Sequence, residues 1–163
     1  MTFLAKQRKG LRRPAVVYSR LSVSVDAPRS AVWEALADVR SHVDWMVDAT
    51  EIHLTSEQAT GVGAMFECKT RVGPLRTRDQ MVVTEWQQGT LIGVNHVGIV
   101  TGSGRFVLAD NSKGGTTVNW EEKLDFPWWV GGCLTSAIAG PILKLVWRGN
   151  LMRLAQIVED HVA

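Results

Sequence analysis
The chain has 163 residues, enough for one domain that buries roughly 70% of its unfolded surface. Hydrophobic residues make up 45% and charged residues 21%, the balance of an ordinary soluble globule, and a net charge of +2 is too small to point to nucleic acid. No run approaches the roughly 20 apolar residues of a membrane span, and residues 1–14 lack the apolar core of a signal peptide.

Two cysteines, Cys68 and Cys133, fit neither a disulfide framework nor a metal set, which predicts a reducing, cytoplasmic setting. Residues 1–15 read as a basic tail carrying Lys6, Arg8, Lys9, Arg12 and Arg13, expected to be a solvated, mobile end. Contact with acidic lipid or another partner is the alternative role for such a cluster. Residues 16–163 read as a single domain.

Residues 17–25 alternate, with Val17, Leu21, Val23 and Val25 on one face and Arg20, Ser22 and Ser24 on the other, the pattern of a half-buried strand. Asp26-Ala27-Pro28 stops it and opens a helix in which Ala31, Val32, Ala35, Leu36 and Val39 recur at helical spacing. Trp33 beside them is read as core packing. A second short helix is predicted over residues 41–45, where Ser41 and Asp44 form a weak capping pattern. From residue 49 the period becomes two. Candidate strands are 49–56, 64–72, 76–86, 90–97, 103–109 and 116–124, separated by glycine-bearing turns at 61–63, 73–74, 88–89, 98–102 and 114–115. Six such strands joined by tight turns make an antiparallel meander, and the first strand brings the sheet to seven. In residues 136–162, Leu143, Trp147, Leu151, Leu154 and Val158 form one helical stripe, with Lys144, Arg148, Arg153 and Asp160 away from it. The fold class is therefore α+β, a curved sheet with one face filled by a long terminal helix.

Particular residues carry a family likeness. Val23-Ser24-Val25-Asp26-Ala27-Pro28, Val32-Trp33, Leu36-Ala37-Asp38 and Trp45 resemble the N-terminal signature of the START-related polyketide cyclase/dehydrase and lipid-transport superfamily (SRPBCC). Gly115-Thr116-Thr117-Val118-Asn119-Trp120-Glu121 resembles its last strand, and the terminal helix its closing helix. The likeness covers roughly residues 17–160 and departs where Trp45 is followed by Met46-Val47 rather than by a nearby proline. It implies a helix-grip fold with a ligand cavity between sheet and helix. It does not single out an activity, because the superfamily holds lipid carriers, aromatase/cyclases, hormone binders and members with no catalysis.

Standard catalytic motifs are absent. Gly61-Val62-Gly63 and Gly102-Ser103-Gly104 lack the third glycine of a dinucleotide loop, and His42, His53, His96 and His161 have no metal-ligand spacing. No cofactor and no metal are expected. Strand parity and the helix stripe instead give a candidate ligand-binding set: Phe66, Cys68, Val94, His96, Phe106, Leu108, Val118, Trp120, Glu122, Leu143, Trp147, Asn150, Leu151 and Leu154. An inward Glu122 needs a donor, since burying a bare carboxylate costs several kcal/mol; the alternative is that its strand frays and the carboxylate reaches water. His96 and Glu122 are the catalytic candidates if the protein is an enzyme. The run Met81-Val82-Val83 breaks the alternation, so the directions of Arg78 and Asp79 are not readable. Trp128, Trp129, Gly131 and Gly132 form the expected entrance loop, with the tryptophans suited to a transient membrane contact and the glycines to a hinge. The expected function is binding or transport of a hydrophobic small molecule, lipid-like or polycyclic. The alternatives are a polyketide aromatase/cyclase and a protein-interaction module without ligand. Oligomeric state is not encoded in these patterns.

Overall fold
In a computed structural model, which describes residues 15–130 and 132–163, β1 (Ala15–Val25) alternates buried and exposed side chains as its sequence does. The basic residues of 1–14 lie outside the described residues. Ala15, assigned above to the tail, is instead the first residue of β1; it pairs with Phe126 and is buried. Pro28, in extended conformation, caps α1 (Arg29–Ala37), and the Thr116 hydroxyl donates to the carbonyl of Ala27 at 2.8 Å to fix the turn between strand and helix. One turn of 3-10 helix (Val39–Ser41) leads into α2 (His42–Trp45). Ser41 occupies the N-cap of α2, but its hydroxyl donates back to the carbonyls of Ala35 and Asp38, so the expected Ser41–Asp44 cap does not form.

Six strands follow: β2 (Ala49–Leu54), β3 (Met65–Val72), β4 (Leu75–Gln87), β5 (Leu91–Val97), β6 (Thr101–Asp110) and β7 (Thr116–Phe126). All pairings are antiparallel, in the order β1-β7-β6-β5-β4-β3-β2. Each hairpin joins sequence neighbours, and β1 closes onto β7. The register of β4 breaks at one place. Val83 pairs with Val94 and Glu85 with Gly93, so Thr84 is an extra, bulged residue. Thr77, Asp79, Met81 and Val83 face inward before the bulge and Trp86 after it, while Arg78 points out to an ion pair with Glu67 at 2.8 Å.

A second 3-10 turn (Trp128–Val130) precedes α3 (Gly132–Val162), which spans 31 residues and begins four residues before the expected start. At 1.5 Å per residue it is about 46 Å long. Pro141 lies inside it without ending it. The stripe Leu143, Trp147, Leu151, Leu154 and Val158 is buried, and Glu159 accepts the backbone N–H of Asp26 at 2.7 Å, tying the last turns of α3 to the end of β1. α1 packs against α3 and β6. Its Val32, Trp33 and Leu36 join Leu151, Leu154, Leu108 and Val118 in one apolar core. That end of the sheet is filled, and the other is left open. Among the described residues, no helix is long and apolar enough to cross a membrane.

Candidate functional site
The open end holds a cavity of about 470 Å³, bounded by the concave faces of β2–β7 on one side and by α2 and the first half of α3 on the other. That volume lies in the range of small-molecule sites. Most of the wall is apolar: Phe66, Met81, Ile92, Val94, Leu124, Leu143 and Trp147. Part of it is an aromatic shelf. Phe106 lies 5.0 Å from Trp120 between ring centres, and Trp120 lies 5.5 Å from Trp147. Trp45 props this shelf from behind, edge-on to both Phe106 and Trp120. Such tilted and edge-to-face pairs favour fixed ring positions over a fluid lining.

The polar groups are few and individually placed. Glu122 is 5% exposed, so β7 does not fray there. Its Oε2 accepts the indole N–H of Trp120 at 2.8 Å, and its Oε1 lies 2.7 Å from Nε2 of His96, out of line for a hydrogen bond. Gly104, directly across from Glu122 on β6, is what makes this possible. A Cβ there would stand 2.3 Å from Oε2. Asp79 repeats the device. It is 6% exposed, its Oδ1 accepts the N–H of Ile99 at 3.1 Å, and a Cβ on Gly98 would come within 2.2 Å of that oxygen. Asp48, in the connection from α2 to β2, receives a hydrogen bond from the Asn150 amide at 2.6 Å, while the Asn150 carbonyl oxygen accepts the N–H of Val47 at 3.1 Å. Cys68 is opposite Asp79 on β3. Burial pushes its thiol up to about 11, opposed by the Thr70 hydroxyl and helped by the Asp48 and Asp79 carboxyls, which favours the protonated thiol at neutral pH. His42 donates from Nε2 to the carbonyl of Leu36 at 2.9 Å, and burial lowers its pKa to about 4 against the pull of that hydrogen bond.

Of the residues proposed from the sequence, Phe66, Cys68, Val94, His96, Phe106, Trp120, Glu122, Leu143 and Trp147 meet on the cavity wall. Leu108, Val118, Leu151 and Leu154 have the expected inward direction but lie under α1, in the filled end. Asn150 is fully buried behind the wall and holds Asp48 rather than facing the cavity. Trp128 and Trp129 are 50% and 61% exposed and are not among the residues lining the cavity; Gly131 lies outside the described residues, and Gly132 is the first residue of α3. Asp79, whose direction was not readable from the sequence, also lines the cavity, as do Asp48, His42, Thr70 and Thr77, which were not among the proposed residues. Among the described residues, no group of three or more His, Cys, Asp or Glu could hold a metal ion.

The family model described as polyketide cyclase / dehydrase and lipid transport matches residues 17–159. The chain belongs to this family. Solved structures agree on the architecture. TTHA0849 from Thermus thermophilus superposes with a TM-score of 0.78 at 13% identity, over 90% of this chain and 99% of that one. The Zhui aromatase/cyclase from Streptomyces sp. R1128 gives 0.71 at 18% identity, over 91% and 96%. Ara h 8.0201 gives 0.66 at 12% identity, over 88% and 97%. At such identities the likeness is one of fold, and the fold is helix-grip: a curved seven-stranded antiparallel sheet around a long C-terminal helix. No curated protein matches.

Proposed function
We propose that this family member binds a hydrophobic small molecule in the cavity between α3 and the sheet and carries it without changing it. The carrying observation is the cavity itself: about 470 Å³ of space, walled mainly by apolar and aromatic side chains and floored by a rigid indole–phenyl shelf. Burial of apolar ligand surface there supplies affinity at about 25 cal/mol per Å². A filled interior would favour the interaction-module alternative, and the cavity favours ligand binding. Titration with an apolar polycyclic fluorophore, read by energy transfer from tryptophan, tests the proposal. Saturable binding is expected, abolished by Val94→Trp, which fills the cavity from β5. Equal affinity in the variant rules the cavity out as the site.

The His96–Glu122 contact favours a second reading, an aromatase/cyclase-type enzyme. An imidazole nitrogen 2.7 Å from a carboxyl oxygen inside an apolar cavity could move a proton on a folded polyketide chain. Turnover of a poly-β-ketone substrate that disappears in His96→Ala and Glu122→Gln supports it; an unchanged ligand mass in native mass spectrometry supports the carrier. The mouth bears on delivery as well as on uptake. Exposed Leu75, Ile99, Trp129, Ile138 and Ile142 surround the end of the sheet where β1 begins, and residues 1–14, with five cations, precede β1. This supports transient docking on an anionic bilayer. Trp128→Ala/Trp129→Ala should weaken binding to anionic liposomes severalfold, and wild-type binding would sink the membrane role. A half-buried, free Cys68 fits the cytoplasmic setting expected from the sequence.

A further inference from the structure
The cavity is one-sided in its charge. Asp48, Asp79 and Glu122 present carboxyl groups to it, and no lysine or arginine is among its described lining residues. Each carboxyl has one oxygen engaged by an N–H of the protein: Asp48 by Asn150, Asp79 by Ile99 and Glu122 by Trp120. The second oxygens of Asp48 and Asp79 have no hydrogen-bond partner among the described residues. Glu122 Oε1 and His96 Nε2, both buried, face each other without forming a hydrogen bond. The Cys68 thiol senses the same field, since after burial both Asp48 and Asp79 act to raise its pKa. A buried carboxyl oxygen without a donor is costly, and Glu122 Oε1 is one, on a residue that lines the cavity together with Asp48 and Asp79. Glycine at 98 and at 104 keeps open the room that Asp79 and Glu122 need to turn inward. An occupant carrying an N–H donor supplies what the free oxygen of Asp79 or of Glu122 lacks. An anionic head, such as a fatty-acid carboxylate or a phosphate, meets three carboxyls and no lysine or arginine among the described lining residues, and the one imidazole beside a carboxyl, His96, already faces Glu122.

We propose that the ligand is a hydrophobic amine: an apolar skeleton in contact with the aromatic shelf, with a basic nitrogen donating to Asp79 or Glu122. This rests on the small-molecule-binding reading above and specifies the chemical class of its ligand. The experiment compares one skeleton with three heads, anthracenylmethylamine, anthracenylmethanol and anthracenecarboxylate, titrated at neutral pH and read by tryptophan energy transfer. The amine should bind at least about tenfold more tightly than the acid, about 1.4 kcal/mol, with the alcohol between them. Asp79→Asn and Glu122→Gln keep the acceptors for Ile99 and Trp120, and each should narrow the gap between amine and acid about threefold or more. Acid binding as tight as amine binding overturns the amine preference alone, as does a gap unchanged in both variants. If none of the three binds, the cavity-binding reading falls and this inference with it.

Discussion

Replacing Asn150 by alanine tests how the cavity wall is held in place. Asn150 is fully buried on α3, and its amide joins two segments that are otherwise distant in sequence. The Nδ2 group donates to Asp48 at 2.6 Å and Oδ1 accepts from the Val47 N–H at 3.1 Å. A hydrogen bond to a charged group contributes about 1.5–3 kcal/mol and a neutral one about 0.5–1.5 kcal/mol. Removal of both, with the Asp48 carboxyl left buried beside a void, should lower stability by about 2–4 kcal/mol. For a chain of this length that is a fall in Tm of roughly 5–15 °C. Urea unfolding followed by tryptophan fluorescence measures it as a lower midpoint with an unchanged slope. Asn150→Asp is the informative companion, because it keeps the acceptor for Val47 but sets a second carboxyl against Asp48. It should therefore be at least as destabilised as the alanine variant at neutral pH. A loss below about 1 kcal/mol for Asn150→Ala would refute the reasoning, since the two bonds would then be exchangeable for water.

Two further perturbations follow from the site. His42 has its pKa lowered to about 4 by burial, while in the unfolded chain it is near 6.5, so between those values the unfolded state binds more protons and stability falls with falling pH, by about 3 kcal/mol across the window and no further below it. Comparing urea midpoints across that window checks the slope, which should largely vanish in His42→Gln; an identical slope in the variant defeats the assignment. Gly104→Ala should cost about 1–3 kcal/mol, because a methyl 2.3 Å from Glu122 Oε2 drives that side chain from its place between Trp120 and His96. In a Glu122→Ala background the same change should cost little, and equal losses in the two backgrounds would show that Gly104 is not making room for Glu122.

The fold was legible because both of its periods are clean. The stripe from Leu143 to Val158 and the alternation of β1 and β7 follow directly from the need to bury one face, and the glycine-bearing turns fix where each strand ends. Where legibility failed, a second requirement was superimposed on the pattern. In β4 the register is regular through Val83, but Val82 is an apolar residue on the outward face, which made Met81-Val82-Val83 look continuous, and the bulge at Thr84 then shifts the parity that follows. In the first half of α3, Ile138, Ile142 and Leu145 are apolar yet exposed, which blurred the start of the helix. Asp48 lies in a short connection and His42 opens the four-residue α2, and neither segment is long enough to show a period. Inward parity also could not separate Leu108, Val118, Leu151 and Leu154 from residues on the cavity wall, because that distinction is made by α1, packed over one end of the sheet and not the other.

The buried carboxyls had a signal of a different kind, carried by pairs of residues on neighbouring strands. Gly104 lies directly across from Glu122, and a Cβ at Gly98, in the turn after β5, would collide with Asp79 on β4. Glycine weakens a strand, having no side chain to pack and more backbone entropy to lose. At these two places it removes the atom that would force an acidic side chain out of the cavity. Once the register is known, glycine beside an inward-parity carboxylate marks a position where packing has been given up to keep a charge-bearing group inside. A cavity serving apolar volume alone gains nothing from that exchange, since valine at 98 and 104 and leucine at 79 and 122 would pack better. The presence of both arrangements in one cavity ties them to what the cavity holds.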